Sequence, residues 1–198
     1  GNMLKQWHLS LGALGDGTLN QLGGMDMYAW NVNGTPLYYF DDISYYEIAQ
    51  VDMTVMLQGP YNGSAMVPGL SGQLPIAQPY NVAPWNYAGT ESVVAIPNAN
   101  IVDWVLVELR DAASAGQATS GTMVARQAAF ILNNGKVVGT DGSSILRFET
   151  PVFNNLYTVV YHRNHISVMS ASGLTKTLGI YTYNFSTGSG QAYGGTSA

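Results

Sequence analysis

The stretch "IVDWVLVELR", residues 101–110, narrows more than any other what this chain can fold into. Its apolar residues fall on both parities: Val105, Val107 and Leu109 on one, Val102, Trp104 and Leu106 on the other. Side chains of a strand alternate between its two faces. A strand apolar on both parities therefore has to be covered on both sides. Its β-branched and aromatic content favours strand over helix.

Shorter strands surround it. "VDMTVMLQG" alternates Val51, Met53, Val55 and Leu57 with Asp52, Thr54 and Gln58, the pattern of a half-buried strand. "TMVARQAAFILNNGKVVGTDGSS" reads as a strand, a turn at Asn133-Asn134-Gly135, a short strand and a second turn at Asp141-Gly142. "ILRFE", "LYTVVYH", "HISVMSA", "LTKTL" and "IYTYNF" continue the series. No helix of useful length, no alternation of strands with helices and no internal repeat is found. The fold expected is all-β, a β-sandwich or jelly roll of short antiparallel strands.

One segment breaks the rhythm. Between residues 59 and 90 lie Pro60, Pro68, Pro75, Pro79 and Pro84, five of the eight prolines. Proline removes a backbone donor and disfavours helix at the residue before it, so a long, structured, Pro- and aromatic-rich loop is expected there. Residues 1–50 have a different, glycine-interrupted texture, with a hairpin-type turn at Asn33-Gly34. They are read as an N-terminal extension or small subdomain, and 51–198 as the β-module, ending in a Gly/Ser-rich, linker-like tail.

Surface chemistry is unusual. Charged residues are only 10% of the chain against 46% hydrophobic, where a typical soluble domain carries roughly 25% charged. Asn, Gln, Ser, Thr and Tyr must supply the polar surface, a style common in secreted β-proteins. Seven Lys and Arg, scattered, with a net charge of −5, do not build the cationic track that nucleic acid needs. The absence of cysteine excludes disulfides and thiolate chemistry. No run approaches the roughly 20 apolar residues of a membrane helix, so no membrane insertion is expected. Gly1-Asn2-Met3 reads as a junction left by tag removal, with no basic-then-apolar leader ahead of it.

Candidate chemistry gathers at two places. The first is His162-Arg163-Asn164-His165. Thr158 to Tyr161 make the local structure a strand, where residues three apart point to opposite faces. Only a turn at Arg163-Asn164 brings the two imidazoles together. A transition-metal site needs three or four ligands, and spacing supplies no third, His8 being remote. These histidines are read as turn residues bonded to backbone, on a turn that can border a binding face; no metal site is assigned. The second place is the loop with Tyr61, Tyr80, Trp85 and Tyr87. Flat rings beside Asn and Gln amides suit sugars, although the same rings can pin the loop to the sandwich.

Other signals are weaker. Asp103, Glu108 and Asp111 are the carboxylates a glycoside hydrolase would draw on. Asp103 and Glu108 should point to opposite faces, while Glu108 and Arg110 share one as an ion pair. "GDGTLN" (15–20) and "TDGSS" (140–144) are oxygen-rich turns. Counted from Asp16, an EF-hand would need Glu at its twelfth position, which is Met27. Both are read as turns, with calcium the one cofactor kept open.

Taken together, "VMLQGPYNGSAM", "LPIAQPYNVAPWNYAGTESVVAIPNANIVDWVLVELRDA", "VARQAAFILNNGKVVGTDGSS", "VVYHRNHISVMSA" and "YNFSTGSGQAYGG" resemble a module near the C-terminal end of large secreted and cell-surface proteins of Bacteroidetes, loosely described as hemagglutinin-like or adhesin-like. The resemblance spans about residues 51–193. It implies export, an extracellular or surface location and neighbouring modules, and it carries over no catalytic residue. The expected function is a non-enzymatic bacterial surface module, adhesive or structural, with glycan or neighbouring domains as partners. Its binding residues would be Tyr61, Tyr80, Trp85, Tyr87, His162, Arg163 and His165. The alternative is a carbohydrate-active hydrolase domain.

Overall fold

A computed structural model describes residues 48–69 and 71–195. The expectations for Asn33-Gly34, the 15–20 turn and His8 lie outside the described residues. Among the described residues there are nine strands: β1 (Ile48–Thr54), β2 (Ile101–Ala112), β3 (Met123–Leu132), β4 (Val137–Val138), β5 (Leu146–Glu149), β6 (Asn155–His162), β7 (His165–Met169), β8 (Thr175–Thr177) and β9 (Ile180–Asn184). Short 3-10 turns are the only helical segments among the described residues, and none is long and apolar enough to cross a membrane. Strand β1 begins at Ile48, so the expected boundary at residue 51 falls inside it.

The strands form two sheets, ordered β5-β1-β9-β8 and β4-β3-β2-β6-β7. The fold is all-β and sandwich-like, as expected. One pair departs from the antiparallel rule: β1 and β9 run parallel, with Val51 opposite Tyr181 and Met53 opposite Tyr183. The core between the sheets takes Val51, Met53, Leu146 and Tyr183 from the first sheet and Val105, Val107, Leu109, Ile131 and Val160 from the second. Each such burial is worth roughly 1.5–3 kcal/mol.

The two-faced character of β2 is realised. Its second parity builds a separate core of Trp104 and Leu106 with Ala128, Phe130 and Val138, closed by Leu74 and Tyr80 from the Pro-rich loop. That loop is therefore a third layer over the outer face of the five-stranded sheet. It pairs with itself, Gln78 N–H donating to Glu91 C=O and Val93 N–H to Ile76 C=O. Trp104 Nε1 donates to Pro75 C=O at 2.8 Å. Without this cover Trp104 and Phe130, whose rings lie 4.0 Å apart, would face water.

The turns read from sequence are present. Gly135 follows Asn133-Asn134 with φ +83° and Gly142 follows Asp141 with φ +75°. Asp141 accepts from the Ser143 and Ser144 amides and from the Ser144 hydroxyl, so its oxygens close the turn. The tail departs from its linker-like composition. Tyr193 N–H donates to Met169 C=O, Ala171 N–H to Gln191 C=O, and the Tyr183 hydroxyl to Gln191 C=O at 2.7 Å. Backbone pairing of this kind leaves no trace in side-chain composition.

Candidate functional site

A chain so poor in charge gathers its buried charge in one region. Asp103, 4% exposed, and Glu108, 5% exposed, are the buried carboxylates among the described residues, and His162 is buried with them. Of six described cationic side chains (Arg110, Arg126, Lys136, Arg147, Arg163, Lys176), three stand against these two carboxylates. Ionised groups leave water only when paired, so the clustering marks a candidate site.

Strand β2 supplies both carboxylates on opposite parities, and their partners come from β2 itself, from its neighbours β3 and β6, and from the β6–β7 turn. On one side Glu108 Oε1 meets Arg110 Nη2 at 2.7 Å and Arg126 Nε lies 3.4 Å from Oε2. The second contact is an ion pair without hydrogen-bond geometry, since Arg126 Nε has no hydrogen-bond partner. The Tyr161 hydroxyl bridges Arg110 Nη2 at 3.2 Å and Glu108 Oε1 at 3.3 Å. Burial, then the Glu108 charge, raises the pKa of that phenol and keeps it protonated.

On the other side the β6–β7 hairpin does what the sequence allowed. Arg163-Asn164 is a two-residue turn and His162 pairs directly with His165. The two Nδ1 atoms are 2.8 Å apart. Gly59 N–H donates to His165 Nε2 at 3.2 Å, so in a neutral ring the His165 proton is on Nδ1 and points at His162. His162 Nδ1 accepts it together with Asn164 N–H. Its own proton is therefore on Nε2, donated to Asp103 Oδ2 at 3.1 Å. Asp103 Oδ1 accepts from Trp104 N–H and Arg163 Nη2, each at 2.7 Å. A directed chain runs from Gly59 through both imidazoles to Asp103.

Electrostatics follow the geometry. Burial alone would raise the Asp103 carboxyl. The His162 hydrogen bond, the Trp104 amide and the Arg163 charge outweigh it and hold the group below the ordinary carboxylate range. Burial and then the neighbouring His162 push His165 down, against a smaller opposing pull from Asp103. His165 is thus held neutral.

Three hollows meet at these histidines. An open cleft on the outer face, about 660 Å³, is lined by Trp85, Met123, Arg126, Tyr161, Arg163 and His165 among others. A second hollow lies at the edge between the sheets, lined in part by Val55, Leu57, Val168 and Phe185. A third lies under the start of the loop, at Gly59 and Val67. Among the described residues no group of three or more His, Asp or Glu side chains converges as a metal site would require.

The residues expected to bind are thus only partly brought together. Trp85, His162, Arg163 and His165 share the outer cleft. Tyr80 is a correction: it is 0% exposed, with its hydroxyl on Trp104 C=O at 2.8 Å, and it pins the loop to the sheet. Tyr87 donates to Glu91 at 2.5 Å and sits under Arg126, 5.5 Å from its ring centre. Tyr61 is 45% exposed and bonds Gly63 C=O; it does not line the cleft. The link from Asp103 to His162 and the place of Arg126 were missed in the sequence, where a lone cation inside the apolar run "VARQAAF" was the available signal.

The carboxylates of the hydrolase alternative are all committed. Asp103 and Glu108 are ion-paired, and Asp111 accepts the Phe153 and Asn154 amides. A general acid needs a raised carboxyl pKa, the reverse of Asp103. No family model matches the chain, and no curated protein or solved structure matches it either.

Proposed function

We propose that the chain is a non-enzymatic module of a bacterial surface or secreted protein that recognises glycan through the outer cleft. The observation that carries this reading is the cleft's make-up: a partly buried Trp85 lining it beside fixed polar groups. Sugar recognition combines an apolar C–H face on an aromatic ring with directed hydrogen bonds to hydroxyls. Trp85 is held edge-on by Tyr80 at 5.2 Å and 90°, so little side-chain freedom is lost when a ligand stacks on it. The low charge content and the resemblance of residues 51–193 to surface modules support an extracellular setting and an adhesive role.

A glycan array probed with the purified chain and with Trp85→Ala tests the reading. Binding by the native chain that the substitution removes is the expected result. Silence of the native chain across neutral and acidic glycans would overturn it and leave a structural module that packs against neighbouring domains.

A further inference from the structure

Two features of the outer cleft concern its charge rather than its ring. The carboxylates stand behind and the guanidinium groups in front: the side chains of Asp103 and Glu108 are each 6% exposed, whereas Arg163 is 32% and Arg126 20% exposed. Both arginines line the opening together with Trp85. Their donors are also incompletely used. Arg163 spends Nη2 on Asp103 Oδ1, and among the described residues no protein partner takes its Nε or Nη1. Arg126 spends Nη1 on Trp85 C=O at 3.1 Å and its buried Nε faces Glu108 Oε2 at 3.4 Å, so it adds positive charge to the opening and leaves the fork to Arg163. A guanidinium carries five donors in a planar fork that matches a carboxylate.

From this arrangement we infer that the cleft selects a saccharide bearing a carboxylate, a uronic-acid type of sugar, with Arg163 as the anion anchor and Trp85 as the stacking face. The inference rests on the glycan reading above and narrows it. The Arg163 fork is preset, because Asp103 fixes one of its arms and is itself fixed by His162 and the Trp104 amide. A hydroxyl meets one donor of such a fork. A carboxylate meets two and carries the opposite charge, which strengthens each bond. The net charge of −5 works against an anionic ligand at long range. Recognition therefore depends on short-range contact, and screening by salt does not abolish it.

The test is calorimetric titration of the chain with oligogalacturonate and oligoglucuronate, each beside its carboxyl-reduced form. The expected result is binding of at least one acidic form about tenfold or more tighter than its reduced partner, the scale of one charged hydrogen bond. Arg163→Gln should erase that preference. Arg163→Lys, which keeps the charge and loses the fork, should retain part of it and controls for folding. Arg147→Gln, an exposed cation on β5, should leave it unchanged. Equal binding of acidic and reduced forms overturns the carboxylate inference and leaves the glycan reading standing. Failure of both forms, together with neutral-glycan binding on the array, overturns the inference alone. Failure of both with a silent array overturns the two together.

Discussion

Replacing Asp103 by Asn should destabilise the fold far more than its near-identical shape suggests. The carboxylate accepts on both edges: His162 Nε2–H on Oδ2, and Trp104 N–H with Arg163 Nη2 on Oδ1. An amide has one accepting edge, so whichever way Asn turns, its NH₂ meets donors. Moving the His162 proton to Nδ1 does not help, because Nδ1 already accepts from Asn164 N–H and His165. Passing the conflict on to His165 places a proton on Nε2, opposite Gly59 N–H. The clash of donors moves along the chain without leaving it.

The cost combines a lost charge-assisted bond with a buried donor left unsatisfied, about 3–5 kcal/mol as for breaking a buried ion pair. In a domain of this size that is a fall in Tm of about 6–20 °C. Urea denaturation of D103N at pH 7.5 measures it, with imidazole ¹⁵N shifts of the native chain reporting the tautomers. A loss below about 0.5 kcal/mol, the range of ordinary surface substitutions, would refute the reasoning. So would native spectra placing the His162 proton on Nδ1.

Two further outcomes are expected. His165 is held below its ordinary value of 6.5, so as pH falls through 6.5 the unfolded chain takes up a proton that the native state resists. Stability is therefore full above 6.5 and declines below it toward the lower native value; urea midpoints across pH 5–8 should show this slope, flattened in His165→Gln. Gly135→Ala should cost more than about 1–2 kcal/mol, since at φ +83° its Cβ would also stand 2.7 Å from Val55 C=O. Gly179→Ala, at the same φ with open space around it, should show the conformational part alone, and equal urea midpoints for the two would remove the contact argument.

Local pattern settled the strands. Alternation in Val51 to Leu57, the two-sided apolar run of β2 and the Asn-Gly and Asp-Gly turns state burial and reversal residue by residue, because period and turn chemistry act within a few positions. The two-residue turn at Arg163-Asn164 was legible for the same reason. Binding candidates were legible only as residue types: Trp85 and Tyr80 look alike in the sequence, yet one lines a cleft and the other is sealed beneath a loop.

Tertiary structure decided which groups meet. Asp103 reaches His162 across 59 residues and Gly59 reaches His165 across 106, contacts created by the adjacency of β2 with β6 and by the loop folding back over the sheet. The same strand places Glu108 on its opposite face, among arginines drawn from β2 and β3. Periodicity records that a position is buried. It does not record the partner, since the desolvation cost that forces a charge to be paired is met by whichever strand the sheet order brings alongside.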